Sequence, residues 1–343
     1  MKVAATSRAQ SRRPSRRDRV LAMLCDGKAH SGERIAARLK ISRSAVWKIV
    51  GTLRELGVEI EASRAEGYRL PEAVELYDAT AVLSQLSPSV RQRIAAVETH
   101  LHVDSTNRYL NDLPAALPNT AQLCVAEIQS AGRGRRGRSW VAPFGSGLCL
   151  SLAWHFEESP PTLSALSLAV GVAVLRALRR FGDHDIQLKW PNDIVWRARK
   201  LGGILIEMRG ESTGPTRVVT GLGLNTRMPA AARLRLVEQQ AIIIADLHEV
   251  FGEATPARNT LIAAIVEELV EAIVTFSRHG FDAFAEEWRT HDALKDAAVR
   301  VLCSNEVING IARGVDTDGA LIVEVDGQPR RFVSGEVSLR ANA

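Results

Sequence analysis

The 343-residue sequence has few cysteines, few aromatic residues and no long hydrophobic run. Its four cysteines, at positions 25, 124, 149 and 303, do not have the spacing of a metal site, so reduced thiols and a cytoplasmic location are expected. No stretch approaches the ~20 apolar residues of a membrane span. No apolar signal-peptide segment follows the basic N-terminus. These absences exclude a disulfide scaffold and predict a protein that does not associate with membranes.

The positive charge is concentrated at one end of the chain. The whole chain carries +5, residues 1–17 carry +6, residues 18–70 carry +3 and residues 71–343 carry −4. This placement predicts an anionic partner, such as nucleic acid, at the N-terminal end only. Residues 1–17 are rich in Arg and Ser and have little to bury, so a disordered basic tail is predicted. A solvated tail without a partner is the alternative.

Three short amphipathic helices and a hairpin are predicted within residues 18–70. The third helix begins after Ser42 and stops at Gly57, and its apolar residues recur at helical spacing. Residues 58–60 and 68–70 are predicted to pair as the hairpin. This order predicts a winged helix-turn-helix domain whose third helix enters the major groove of DNA, with a three-helix protein-binding module as the alternative. The outward face of the third helix supplies the candidate DNA contacts Arg43, Ser44, Trp47 and Lys48.

The rest of the chain is predicted to be α+β. Residues 71–95 are expected to form a connector with one helix near 79–86. In residues 96–293, short strands joined by turns mix with a helix at 163–181 and further helices in 255–290, which predicts a mixed sheet rather than a doubly wound fold. In residues 294–343, alternating strands flank two turns, Asp318-Gly319 and Asp326-Gly327, which predicts a small SH3-like β-barrel.

The most informative stretch is residues 129–140, QSAGRGRRGRSW, here called the Arg-Gly loop. Its glycines match the dinucleotide-binding pattern GxGxxG, but no helix-forming segment follows them, so that interpretation is rejected. Because the stretch lies between two apolar strands, a disordered Arg/Gly-rich tract is also disfavoured. The loop is predicted to bind phosphate or carboxylate through Arg133, Arg135, Arg136 and Arg138. Its glycines would allow the loop to move when no ligand is bound. Trp140 is a candidate to stack on adenine or to lie in the core.

Four further motifs place polar groups beside apolar strands. They are Asp104-Ser-Thr-Asn107, Lys189-Trp-Pro-Asn-Asp193, Lys200-Leu-Gly-Gly-Ile204 and Gly221-Leu-Gly-Leu-Asn225. Each alone has an ordinary explanation: Ser105 and Thr106 as a helix cap, Asp193 as a turn acid and Lys200 as a solvated charge. Together with the Arg-Gly loop they favour a single binding site for anionic substrates.

In order and spacing, these motifs resemble those of biotin–protein ligases. With the winged helix in front, residues 18 to 342 are similar to the bifunctional form that also represses the biotin operon. The resemblance implies a biotin/lipoate-ligase-like catalytic domain that uses ATP and Mg²⁺ to make biotinyl-5′-AMP. It further implies transfer of biotin to a lysine of a biotin carboxyl carrier domain of acetyl-CoA carboxylase type. Biotinyl-AMP would act as corepressor, promoting a homodimer that binds operator DNA.

The resemblance also implies roles for residues at matching positions. Catalysis is implied for Lys200, Arg133 and Arg135. Biotin contacts are implied for Ser105, Thr106, Asn107, Gln129, Arg133, Gly134, Arg135, Lys200, Gly221 and Gly223. Contacts to ATP or the adenylate are implied for Arg136, Arg138, Trp140, Asn192, Asp193 and Asn225. No protein cage for a metal is expected; Asp193 is the candidate contact for the Mg²⁺ that accompanies ATP.

Two features depart from the family pattern, and two other functions compete. Residues 1–17 have no counterpart in the family, and the wing reads Ala65-Glu66-Gly67-Tyr68 where a basic residue before the glycine is usual. One alternative is a metabolite-sensing transcription regulator without ligase activity, which the intact Arg-Gly loop and Lys200 disfavour. The other is a lipoate–protein ligase, which the Arg-Gly loop disfavours.

Overall fold

A computed structural model describes residues 15–63, 65–160, 163–210, 215–240, 242–302, 307–333 and 338–341. Residues 1–14 of the predicted basic tail and Cys303 lie outside the described residues. Among the helices described, none combines the length and the apolar character that crossing a bilayer requires.

The N-terminal part consists of three helices followed by a two-stranded hairpin. These elements are α1 (Arg16–Leu24), α2 (Gly32–Leu39), α3 (Arg43–Glu55), β1 (Glu61–Ser63) and β2 (Gly67–Arg69). Ser15, Ser31 and Ser42 each begin a helix by accepting a hydrogen bond from the backbone amide three residues further on. Apolar residues of all three helices form one buried cluster. The predicted winged helix-turn-helix is thereby confirmed.

Two boundaries in this part were predicted wrongly. Helix α1 starts at Arg16, inside the predicted tail, because Ser15 and Asp18 form a reciprocal capping box. The first hairpin strand does not include residues 58–60, since their backbone groups bond to α3. The Val58 amide donates to the Leu53 carbonyl at 3.0 Å, and the Ile60 carbonyl accepts from the Arg54 guanidinium at 2.7 Å. Cross-strand pairing therefore begins only at β1.

The connector is bonded to the elements on both sides of it. It contains α4 (Ala79–Gln85) and α5 (Pro88–Arg91). The Val74 amide donates to the Cys25 carbonyl at 2.9 Å, next to the end of α1. The Asp78 amide donates to Asn259 Oδ1 at 2.9 Å, and Asn259 Nδ2 donates to Glu75 Oε1 at 2.9 Å. The connector is therefore an ordered strap between the two larger parts of the chain.

A seven-stranded mixed sheet forms the centre of the molecule. Its strands are β3 (Ile94–Val103), β4 (Ala121–Gln129), β5 (Gly147–Phe156), β6 (Ile186–Lys189), β7 (Asp193–Trp196), β8 (Arg199–Gly210) and β9 (Thr216–Asn225). The order is β3-β4-β5-β9-β8-β7-β6. Strands β3 and β4 pair in parallel, and all other neighbours pair antiparallel. This arrangement confirms the predicted mixed sheet.

Six helices accompany the central sheet. They are α6 (Thr106–Asp112), α7 (Leu166–Arg179), α8 (Ala230–Gln240), α9 (Leu247–Phe251), α10 (Arg258–His279) and α11 (Asp282–Thr290). Helix α7 is buried on nearly every face because it packs against the sheet on one side and against α10 and α11 on the other. Helices α7, α10 and α11 cover one face of the sheet and form the main core with it.

The C-terminal part is a small antiparallel sheet, as predicted. Its strands are β10 (Ala298–Leu302), β11 (Val307–Val315), β12 (Leu321–Val325), β13 (Gln328–Phe332) and β14 (Ser338–Ala341), in the order β13-β12-β11-β10-β14. Two hydrogen-bonded contacts hold it on the central domain. Trp190 Nε1 donates to the Gly319 carbonyl at 3.1 Å, and the Arg289 guanidinium donates to the Val315 carbonyl. The turn at Gly319 thus lies directly behind the Lys189–Asp193 motif.

Gly319 and Gly327 allow a matched test of this docking, because both have positive φ, 76° and 74°. A Cβ at Gly319 would lie 2.7 Å from the Cβ of Ala165, whereas at Gly327 nothing lies within 4 Å. We therefore expect Gly319→Ala to lower the free energy of unfolding by about 1–3 kcal/mol more than Gly327→Ala does. Urea denaturation measures this difference. Equal losses in the two variants would contradict the docked turn.

Candidate active site

All sixteen residues predicted for biotin, ATP or catalysis line one cavity of about 420 Å³. They are Ser105, Thr106, Asn107, Gln129, Arg133, Gly134, Arg135, Arg136, Arg138, Trp140, Asn192, Asp193, Lys200, Gly221, Gly223 and Asn225. These sixteen residues come from four sequence-distant pieces of chain: the start of α6, the Arg-Gly loop, the β6–β8 segment and β9. The cavity lies over strands β8 and β9, between the Arg-Gly loop and the turn that joins β6 to β7.

Two glycines of β9 allow side chains to lie against the floor of the cavity. A Cβ at Gly221 would be 2.3 Å from Asn107 Oδ1, and a Cβ at Gly223 would be 2.3 Å from the Trp140 ring. Both distances are far below a van der Waals contact, so a larger residue at either position would have to displace Asn107 or the Trp140 ring. The floor is therefore flat backbone with an amide at one end and an indole at the other.

A buried hydrogen-bond network orders the amide end of the cavity. Gln129 Oε1 accepts from the Thr106 amide at 2.8 Å and from the Thr106 hydroxyl at 3.1 Å. The fully buried Ser151 hydroxyl lies 2.7 Å from Thr106 Oγ1 and 2.6 Å from Asn107 Oδ1. Ser105 caps α6, as the alternative explanation held, and also lines the cavity. This end offers fixed polar atoms to a neutral polar ligand group.

The Arg-Gly loop folds as a narrow turn between β4 and β5. Arg133 pairs with Ser139 as an isolated bridge, and the Gly134 amide donates to the Arg138 carbonyl at 2.6 Å. Arg136 and Gly137 form its tip with positive φ, 56° and 74°. A single 3₁₀ turn over Arg135–Gly137 replaces the helix that a dinucleotide site needs. The rejection of that interpretation is confirmed.

The loop arginines differ in their surroundings. Arg135 is half-buried and its Nη1 donates to Asn192 Oδ1 at 3.4 Å. Burial, followed by the nearby Arg136, lowers the pKa of Arg135 from its ordinary value. Arg136 and Arg138 are exposed at the mouth of the cavity. The loop therefore directs a concentrated positive charge at the space above β8 and β9.

Lys200 is the cation on the opposite wall. Its Nζ lies 2.6 Å from Asp193 Oδ1 and 6.0 Å from the centre of the Trp140 ring. Its amide donates to the Ile243 carbonyl at 3.0 Å, which fixes its backbone. The buried Asn225 donates its Nδ2 to the carbonyls of Lys200 and Ala245. Asn225 thus supports the Lys200 segment with its amide nitrogen while it lines the cavity.

Sequence reasoning missed two sets of residues around the cavity. The first is an apolar wall formed by Val141, Leu236, Ile242, Ile243 and Ile244. The run Ile242-Ile243-Ile244 lines the cavity, and Ile243, which is 64% exposed, lies on its open side. The second set is Ser151 and Glu207, which hold cavity residues by hydrogen bonds. A lone polar residue inside the apolar strand β5 was the available signal for Ser151.

The four predicted DNA contacts share the exposed face of α3. Arg43, Ser44, Trp47 and Lys48 are all exposed, and Trp47 is 69% exposed. Arg43 is paired with Glu33 at 3.2 Å, but both side chains are largely in solvent, so the pair is weak. In the wing, Arg69 pairs with Glu61 at 2.6 Å. Apart from the Arg43–Glu33 pair, this face of α3 is exposed in the described chain, and it bears an aromatic ring between cations.

Three family models match the chain in the order of its structural parts. They are an HTH domain over residues 16–69, the Biotin/lipoate A/B protein ligase family over 101–225 and the Biotin protein ligase C terminal domain over 297–340. Fold and site therefore define a ligase-type domain combined with a helix-turn-helix domain.

Relatives cover nearly the whole chain. The Bifunctional ligase/repressor BirA of Salmonella typhimurium is 38% identical over 94% of this chain and 97% of its own length. That of Escherichia coli is 36% identical over 94% and 97%. The biotin protein ligase of Aquifex aeolicus in complex with biotin and ATP has the same fold, with a TM-score of 0.60, 24% identity and coverage of 72% of this chain and 99% of that one. The chain belongs to the BirA family of bifunctional ligase/repressors.

The contact between Gly223 and Trp140 can be tested by a double-mutant cycle. We expect Gly223→Ala to lower the free energy of unfolding by about 1–3 kcal/mol, because its Cβ overlaps the indole ring. In a Trp140→Ala background the same change should cost much less, since the overlapping ring is gone. Thermal or urea unfolding of the four proteins measures both costs. An equal cost in the two backgrounds would show that Trp140 does not lie on β9.

Proposed function

We propose that this protein is a biotin–protein ligase that also represses transcription. It would condense biotin with ATP to biotinyl-5′-AMP and pyrophosphate, and then transfer biotin to a lysine of a biotin carboxyl carrier domain, with release of AMP. The observation that carries the proposal is the convergence of the Arg-Gly loop, Lys200 and the polar network of Thr106 and Asn107 on one cavity. The ligase/repressor relatives support both halves of the activity.

The cavity suits biotin in one orientation. The ring system has polar groups and apolar carbons, and it would lie at the amide end, over Gly221 and beside Thr106, Asn107 and Gln129. The valeryl chain would follow the flat floor of β9. Its carboxylate would then end near Lys200, the cation at the other end of the floor. Apolar burial of the rings and paired polar groups would together hold the ligand.

The first step must bring two anions into contact. The biotin carboxylate oxygen attacks the α-phosphorus of ATP, the bond to the β-phosphate oxygen breaks, and pyrophosphate leaves. We propose that Lys200 and Arg135 offset the repulsion and stabilise the charge that builds on the α-phosphate in the transition state. Arg133 would hold the carboxylate end of biotin. No nucleophilic side chain is required, because the substrate carboxylate is itself the nucleophile.

The mixed anhydride must then be protected from water until the carrier lysine arrives. The proposed shield is the Arg-Gly loop together with Trp140, which would cover adenine. The exposed apolar residues Val141 and Ile243 would lose solvent contact when the adenylate binds. In the second step the carrier amine attacks the acyl carbon and AMP leaves.

Mg²⁺ is proposed to enter with ATP and to be held mainly by the phosphates. In the parts of the chain that the structure describes, no three His, Cys, Asp or Glu side chains gather as a metal site. Asp193 faces the cavity, but its Oδ1 contacts Lys200. Asn192 Oδ1 contacts Arg135. These residues fit a supporting contact to a phosphate-bound ion, whose chemistry is to neutralise phosphate charge.

Repression would need the N-terminal module, and the exposed face of α3 is the proposed operator-binding surface. We propose that the protein acts in the cytoplasm, where it would meet both operator DNA and the carrier protein. The adenylate is proposed as the corepressor, and ordering of the Arg-Gly loop by it is proposed to favour a homodimer. We propose domains at 15–70, 71–93, 94–293 and 294–343, with the first extended to Ser15, which caps α1, and the third begun at Ile94, the first residue of β3.

Pyrophosphate exchange tests the ligase half of the proposal. With labelled pyrophosphate, ATP and Mg²⁺, the protein should form labelled ATP when biotin is added and not when lipoate is added. Lys200→Ala should reduce the exchange rate at least about 100-fold, since a preorganised transition-state cation is lost, while Lys295→Ala, an exposed lysine outside the cavity, should not. Exchange driven by lipoate alone would identify a lipoate ligase. No exchange with either acid would identify a sensor without ligase activity.

Operator binding tests the repressor half. The DNA is a duplex selected from a random pool by the wild-type protein with biotin and ATP present. Trp47→Ala and Lys48→Ala in the full chain should weaken binding by about 1–3 kcal/mol each, and Lys48→Ala should also reduce the salt dependence. Both side chains are exposed, so the fold should be unchanged. Fluorescence anisotropy measures the affinity, with Lys28→Ala as control; equal affinities in all three would refute the assignment of α3.

A further inference from the structure

Glu207, on β8, joins two parts of the cavity that are distant in sequence. Its carboxylate oxygens have different partners. Oε2 accepts from Asn107 Nδ2 at 2.9 Å and from Asn111 Nδ2 at 3.3 Å. Oε1 lies 3.7 Å from Arg133 Nη1 of the Arg-Gly loop. The side chain of Glu207 is 29% exposed and that of Arg133 is 49% exposed, so the pair lies at the edge of solvent.

Glu207 determines which way the Asn107 carboxamide faces. An ionised carboxylate only accepts hydrogen bonds, so Glu207 requires the amide nitrogen of Asn107 on its side. Asn107 Oδ1 then faces Ser151 Oγ, at 2.6 Å, and the floor of the cavity at Gly221. A reversed carboxamide would place its oxygen against the carboxylate. The Leu205 carbonyl also accepts from Asn107 Nδ2, at 3.4 Å, so Glu207 is the nearer of two acceptors that keep Asn107 Oδ1 on the cavity side.

Arg133, the other partner of Glu207, lies in the Arg-Gly loop, which is proposed to close over the ligand. The loop contacts the opposite wall through Arg135 and Asn192, at 3.4 Å. On the side of β8, Glu207 contacts the loop through Arg133. Both contacts are long and partly solvated, so they can break and re-form as the loop opens and closes. The contact between Glu207 and Arg133 is called the latch below.

We propose that Glu207 is a positioning residue that couples the ligand-facing orientation of Asn107 to closure of the Arg-Gly loop. It touches neither substrate in the orientation proposed above; it acts through Asn107 on one side and through Arg133 on the other. This inference rests on the proposed function for the identity of the ligand. The coupling between the loop and Glu207 does not depend on that identity.

Limited proteolysis of the full chain tests the latch. Trypsin cleaves after arginine, and the loop contains four arginines, at 133, 135, 136 and 138. Glu207→Gln keeps an acceptor for Asn107 but removes the charge that attracts Arg133, so loop cleavage should accelerate about two- to fivefold. The melting temperature should be unchanged. Glu98→Gln, a half-buried carboxylate on β3 that does not line the cavity, is the matched control and should cleave at the wild-type rate.

Arg133→Gln separates the latch from a general effect on folding. It leaves Glu207 and the floor intact, and should accelerate cleavage at the remaining arginines to the same extent. The double variant Arg133→Gln/Glu207→Gln should be no faster than either single variant, because both remove one contact. Wild-type cleavage rates in both single variants, or additive acceleration in the double variant, would overturn the latch. These rates are measured without biotin or ATP, so they stand whether or not the chain ligates biotin.

Glu207→Ala tests the contact with Asn107. This variant removes the carboxylate acceptor as well as the charge, so Asn107 Nδ2 keeps only its longer bond, 3.4 Å to the Leu205 carbonyl, and the carboxamide is held less firmly. In pyrophosphate exchange, the KM for biotin should rise about tenfold or more, against about two- to fivefold for Glu207→Gln, with little change in kcat at saturating biotin. Equal KM values in the two variants would overturn the role in orienting Asn107. Absence of exchange in the wild-type protein would instead count against the proposed function, and calorimetric titration with biotin would then test the contact with Asn107.

Discussion

The close approach of two side chains to the backbone of β9 is the constraint on which the cleft depends. At Gly221 and Gly223 a methyl group would overlap Asn107 and Trp140, respectively, at 2.3 Å. The absence of side chains there creates a flat floor with a polar end and an aromatic end. A long, thin acid can lie on such a floor with its head group and carboxylate held apart. The distance between the two ends then sets where the reacting atoms meet.

Charge is distributed to suit this geometry. Residues 71–343 carry −4 overall, yet the cavity concentrates four arginines and Lys200. Carboxylates temper these cations: Asp193 contacts Lys200 and Glu207 lies beside Arg133. Such pairing offsets the mutual repulsion of the cations that line the cavity. Anionic substrates would replace these contacts with stronger ones.

The motifs predicted most of the residues that line the cavity. Each motif lies beside a predicted strand, and its glycines, turns and charges are visible in the sequence. All sixteen predicted residues line one cavity. Long-range pairing was not visible: Glu207 meets Asn107 across 100 positions, and Ser151 meets Asn107 across 44. The hairpin strand at residues 58–60 was misplaced because Arg54 and Leu53 of α3 bond to that segment. Local β-pattern does not reveal such competition for backbone groups.

A crystal structure of the protein with biotin and a non-hydrolysable ATP analogue tests the central claim most directly. The proposed orientation places the biotin rings over Gly221, beside Asn107, and the carboxylate at about 3 Å from Lys200 Nζ. The α-phosphate should lie between Lys200 and Arg135, under an ordered Arg-Gly loop. Biotin bound in the reverse direction, or bound outside this cavity, would contradict the account.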